Sequence, residues 1–97
     1  MNNKKPPQQI NVEISPEQAE GIYSNAVFIA VSPSEFILDF GRLVPGSPKA
    51  KVYARIIMSP QNTLILKNAL EANLKTYEEK FGKIKIFGKT SKEIGFK

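Results

Sequence analysis

Neither cysteine nor histidine occurs among the 97 residues, and these two absences exclude more chemistry than any residue present suggests. Without cysteine there is no disulfide framework, no zinc–thiolate centre and no thiol nucleophile. Without histidine the commonest general base, the usual nitrogen ligand for metals and the histidine-activated serine all drop out. Long apolar runs are also missing. None approaches the roughly eighteen residues a membrane span needs, and the polar opening MNNKKPPQQ has no apolar signal core. The expectation is a cytoplasmic, non-enzymatic protein with no cofactor, no metal and no membrane attachment.

What is present fits one small globular domain. The hydrophobic fraction of 41% is ordinary, and a chain this short buries only a modest core. The net charge of +5 is unevenly placed. Lys4 and Lys5 give the first nine residues +2, and residues 82–97 carry five lysines against one glutamate. Residues 10–81 hold seven basic side chains against eight acidic ones. Basicity therefore sits at the two ends, where Lys4, Lys5, Lys83, Lys85, Lys89 and Lys92 are candidate phosphate contacts. Lysine-rich ends that merely keep a small protein soluble are the plainer alternative.

Periodicity and turn residues divide the chain. Residues 1–9, rich in Pro, Asn and Gln, read as a flexible arm. Residues 10–82 form a single domain, and 83–97 are a basic tail or a short edge strand around Ile84 and Ile86. Within the domain, Ile10, Val12 and Ile14 alternate with polar residues at strand spacing. In SPEQAEG, Ser15 caps a helical turn, Pro16 opens it, Gln18 completes a capping box and Gly21 ends it. Residues 22–32 predict a strand apolar on both faces. Residues 35–43 predict the next, VPGSPKA predicts a loop, and 51–58 predict another strand. Then Ser59 and Pro60 open a long helix in which Leu66, Leu70, Leu74, Tyr77 and Phe81 make one apolar stripe, closed by Gly82. The fold class is α+β: an antiparallel meander of about four strands, with a short helical turn after the first, followed by one long amphipathic helix. Two apolar faces on a strand of so short a chain predict a homo-oligomer, a dimer in the first instance.

Three motifs invite a catalytic reading and fail it. Asp39-Phe40-Gly41 spells the kinase metal-binding triplet, yet no glycine-rich loop, strand lysine or catalytic loop accompanies it. FGKTSK ends like a phosphate-binding loop, but the required first glycine is Lys83. Glu35 and Asp39 share a strand face about 13 Å apart, too far for a carboxylate dyad. Asp39 has cationic partners in Arg42 and Arg55, so a register-fixing ion pair is the simpler role. Asn25, Glu35, Asp39, Arg42 and Arg55 are the candidate structural or interface residues.

The runs GIYSN (21–25), SPSEFILDFGRLVPG (32–46), KVYARIIMSP (51–60) and YEEKFG (77–82) resemble a small bacterial family of unknown function, the domain of unknown function 3467 type. The likeness spans residues 10–82, with the tail departing from it. It implies a bacterial, cytoplasmic, non-enzymatic protein and transfers no catalytic residue. Three roles stay open: an interaction module with an unspecified protein partner, a nucleic-acid binder using its lysine-rich ends, and a chaperone-like module. The last rests on an order of elements shared with the export chaperone SecB.

Overall fold

The computed structural model describes residues 9–87. Its elements run α1 (Pro16–Ala19), β1 (Ala26–Val31), β2 (Phe36–Leu43), β3 (Ala50–Met58) and α2 (Pro60–Phe81). The three strands form one antiparallel sheet in the order β1-β2-β3. The architecture is α+β, an antiparallel meander with a long helix at its C-terminal side.

Local chemistry explains each element. At α1 the full capping box forms: Ser15 Oγ accepts from the Gln18 N–H at 3.1 Å, and Gln18 Oε1 accepts from the Ser15 N–H at 3.1 Å. The β1–β2 turn closes with the Ser32 N–H donating to the Glu35 carbonyl at 2.9 Å and the Glu35 N–H donating to Ser32 Oγ. Ser59 Oγ accepts from the Asn62 N–H to start α2, with Pro60 at the position where a missing N–H costs nothing. Gly82, at φ 95°, ends it, its N–H donating to the Glu78 carbonyl at 2.9 Å.

The register places Phe28, Asp39 and Arg55 in one cross-strand row and Ile29, Leu38 and Ile56 in the next. Alternation sends these rows to opposite faces. It slips between Phe40 and Gly41, where Phe40 faces Ala54 and Gly41 faces Val52, leaving Tyr53 as the extra residue of a β-bulge. Gly41 sits where the strands crowd closest: a Cβ added there would lie 2.6 Å from the Lys51 carbonyl oxygen. The glycine of the DFG triplet is thus required by a bulge.

Three expectations change. Residues 10–14 keep their alternating pattern but join no sheet, and Val12 is 88% exposed. A period-2 sequence supplies a strand's side chains, not the neighbouring edge it must bond to. The predicted strand 22–32 begins only at Ala26: before it the Ser24 and Asn25 side chains take over the bonds to Gly41 and Leu43, beside one backbone bond from the Asn25 N–H to the Gly41 carbonyl. Residues 83–87 form no strand, and Lys89 and Lys92 lie outside the described residues, as do Lys4 and Lys5. The described sheet therefore has three strands, not four.

The core is very small. Ala26 at 5% exposure and Leu38 at 7% are the only buried hydrophobic side chains among the described residues, and no residue of α2 is buried. The helical stripe forms as its spacing predicts, yet Leu70 is 53% and Phe81 70% exposed. No described helix is long and apolar enough to cross a membrane.

Candidate functional site

The segment Tyr23-Ser24-Asn25 is laced to Gly41-Arg42-Leu43 at one end of the sheet. The Asn25 side-chain amide does a strand's work: its Oδ1 accepts from the Leu43 N–H at 2.8 Å and its Nδ2 donates to the Leu43 carbonyl at 3.1 Å. The Gly41 carbonyl accepts from Ser24 Oγ at 2.8 Å and from the Asn25 N–H at 3.1 Å. Arg42 Nε donates to the Tyr23 carbonyl at 2.9 Å. Three backbone carbonyls and two backbone N–H groups at this corner of the meander are satisfied this way. The polar letters of GIYSN and the GRL of DFGRL are two halves of one clasp.

Arg42 is not the partner of Asp39. Three positions along a strand point a side chain to the other face, and Arg42 stands opposite Lys51. Arg55, directly across from Asp39, takes that place with a fork-like pair: Nε to Oδ1 at 2.7 Å and Nη2 to Oδ2 at 2.9 Å. Hydrogen bonding from Arg55, with the attraction of its charge, holds the Asp39 carboxyl below its ordinary value of 3.8 against a smaller opposing effect of desolvation. The same bond raises Arg55. The Asp39 side chain is 15% exposed and that of Arg55 61%, so the pair covers the carboxylate while leaving the guanidinium in water. Glu35 ends the β1–β2 turn through its backbone, and its carboxylate makes no ion pair among the described residues.

Next to the clasp lies a cationic–aromatic cluster that sequence reasoning missed. The Arg42 guanidinium carbon stacks 4.2 Å from the Tyr53 ring centre, and Lys51 Nζ lies 5.2 Å from the same centre. The two cations face each other across the strands, an arrangement that costs stability unless something offsets it. Neither has a carboxylate partner among the described residues. The sequence shows Lys51 and Tyr53 two residues apart, but bringing Arg42 to them takes the β2–β3 register and the bulge at Tyr53. Lys83 and Lys85 lie beyond α2, exposed and away from any ion pair among the described residues.

Apolar concavities also open on the described residues. Ile29 and Leu38 of the sheet and Leu66, Leu70 and Leu74 of α2 line an open cleft between helix and sheet. Val12, Ile14 and Ile22 line a second hollow inside the hook that runs through α1. Fold and surfaces together define a small α+β protein whose sheet, helix and N-terminal hook all present uncovered apolar side chains. The chain belongs to the family described as protein of unknown function (DUF3467), whose model matches residues 1–86. That match takes in the N-terminal arm and the start of the tail, so the family pattern reaches further than the likeness read at 10–82. No curated protein and no solved structure matches the chain.

Proposed function

We propose that this protein is a non-enzymatic interaction module of the bacterial cytoplasm that folds as a homodimer, each copy completing the core of the other. The observation that carries the reading is the two-residue core, Ala26 and Leu38. Fully burying a Leu side chain is worth about 1.5–3 kcal/mol, whereas ordering each residue's backbone costs about 1–2 kcal/mol. Two buried side chains and a half-buried strand do not offset that cost for a chain of this length. Twenty large hydrophobic side chains stay exposed among the described residues, close to the roughly 20–30 residues a side that a stable interface uses. A second copy is present wherever the first is made, so it is the simplest cover. Sedimentation equilibrium at micromolar concentration is expected to give at least twice 10.8 kDa. A stably folded monomer of 10.8 kDa overturns the reading.

The unpaired Arg42–Tyr53–Lys51 cluster favours a second reading, contact with single-stranded nucleic acid, in which Tyr53 offers a ring to a base and the two cations face phosphates. In this reading the lysine-rich ends add unspecific attraction that falls steeply with salt. Binding retained at physiological salt after removal of residues 1–9 and 83–97, and lost in Tyr53→Ala, supports it. Binding lost with the ends alone assigns the affinity to them.

A further inference from the structure

The hook and the sheet each lack what the other has. Residues 10–14 carry the side-chain alternation of a strand, with Ile10, Val12 and Ile14 at 81%, 88% and 62% exposure, and no backbone partner among the described residues. The sheet has two open edges, β1 and β3, since β2 lies between them. Those edges differ in kind. Outer β3 carries Lys51 and Arg55 and is kinked by the bulge at Tyr53, three features that discourage another strand from adding. Outer β1 is Ala-Val-Phe-Ile-Ala-Val, with no charge, no proline and no bulge along its six residues. Left open, such an edge promotes aggregation.

We propose that residues 10–14 of one copy pair as a fourth strand with the open β1 edge of a second copy, the two copies exchanging these segments about a two-fold axis. The inference rests on the self-association proposed above and adds where the copies meet. Lengths agree: five residues of hook strand against six of β1. The pairing turns the one uncharged edge of the sheet into an interior strand and gives the backbone of 10–14 the ladder its sequence is written for. It also draws the Val12–Ile14–Ile22 hollow onto the partner, where its apolar lining gains cover. Because the exchange is reciprocal, one pairing is made twice, as an isologous dimer requires.

The full-length chain tests this by residue-resolved amide exchange together with its molar mass. Expected are an oligomer and slow exchange at 10–14 and at the outward-facing amides of β1, by at least about 100-fold relative to an unstructured peptide. Val12→Pro and Glu13→Pro are then compared, because only alternate N–H groups bond a neighbouring strand; one of the two is expected to abolish protection at 10–14 and on outer β1 together. Neither substitution touches the three-stranded sheet, so loss of protection there is not loss of fold. The absence of native cysteine makes cross-linking unambiguous: Val12→Cys mixed with Ile29→Cys is expected to give a bismaleimide-linked pair holding one chain of each kind. An oligomer with fast exchange at 10–14, or with protection on outer β3 instead of β1, overturns the inference and leaves the dimer standing. A monomer with protected 10–14 shows the hook folding onto its own sheet and overturns both. A monomer without protection also overturns both.

Discussion

Where Tyr23–Asn25 meets Gly41–Leu43, a single copy of this chain satisfies its own hydrogen bonds. Asn25 replaces a missing ladder rung, Ser24 and Arg42 take up stray carbonyls, and Asp39 finds Arg55 across the strands. Over α2 the same chain does not. The helix is capped at both ends and carries an i, i+4 pair of Lys67 and Glu71 at 3.7 Å, yet among the described residues its stripe stays exposed from Leu70 to Phe81. The difference separates two kinds of requirement. Hydrogen bonds and caps are local or pairwise and close within one copy. Apolar burial is proportional to area removed from water, and a chain of this length with an extended hook has too few layers to remove enough.

The sharpest way to break that contrast is to place a charge where the second copy should sit. Leu70→Asp puts a carboxylate in the helix–sheet cleft. If a partner closes the cleft, the variant loses about 2–5 kcal/mol per subunit, as in a core substitution, and sediments as monomer or unfolds. If the stripe truly faces water, the change stays within about 0.5 kcal/mol. Chemical denaturation at several protein concentrations separates these results, since only a dimer shifts its midpoint with concentration.

How far the sequence spoke depended on the same division. The helix was legible because Ser59-Pro60 and Gly82 mark its ends and leucines recur between them, all within one segment. The α1 capping box was legible for the same reason. The strand cores of β1, β2 and β3 followed from alternation and from the Pro-Gly loop. What stayed hidden required knowing two segments at once. The partner of Asp39 depended on a register set across a loop, and Arg42 was a natural candidate until the period of two sent it to the other face. The clasp was hidden because Ser24 and Asn25 read as part of the strand 22–32, and only the position of Leu43 shows what their side chains bond. The strand pattern at 10–14 was legible too, but the segment joins no sheet among the described residues.

Within the self-sufficient corner, the largest expected effect is at Gly41. Its missing Cβ is what lets the Lys51 carbonyl approach, and Gly41→Ala forces a 2.6 Å contact with backbone that has little room to move. A loss of about 1–3 kcal/mol is expected, the range for overpacking. Thermal unfolding of the variant reads it, and circular dichroism shows whether the sheet survives. A variant as stable as wild type would mean that the bulge relaxes freely, and that the corner is looser than its hydrogen bonds imply.

The smallest effect expected is at Asp39, and its sign is informative. The folded carboxyl titrates below its unfolded value, so the pair adds stability that is fully present above the unfolded range near pH 3.9. That contribution fades as pH falls through the lower folded value, because the unfolded chain then binds the proton more readily. Asp39→Asn keeps the shape, removes the charge and should lower the melting temperature at neutral pH by a few degrees at most, as mostly exposed pairs do. The gap between the two proteins should close once the pH has fallen below the lowered folded value, where both carry a neutral side chain. A gap that persists there would mean that the asparagine disturbs packing, not charge. Magnesium with ATP supplies the remaining comparison, since the triplet Asp39-Phe40-Gly41 is spent on an ion pair and a bulge. Neither protein is expected to gain in melting temperature with that ligand, and a gain in the wild type alone would return the triplet to metal binding.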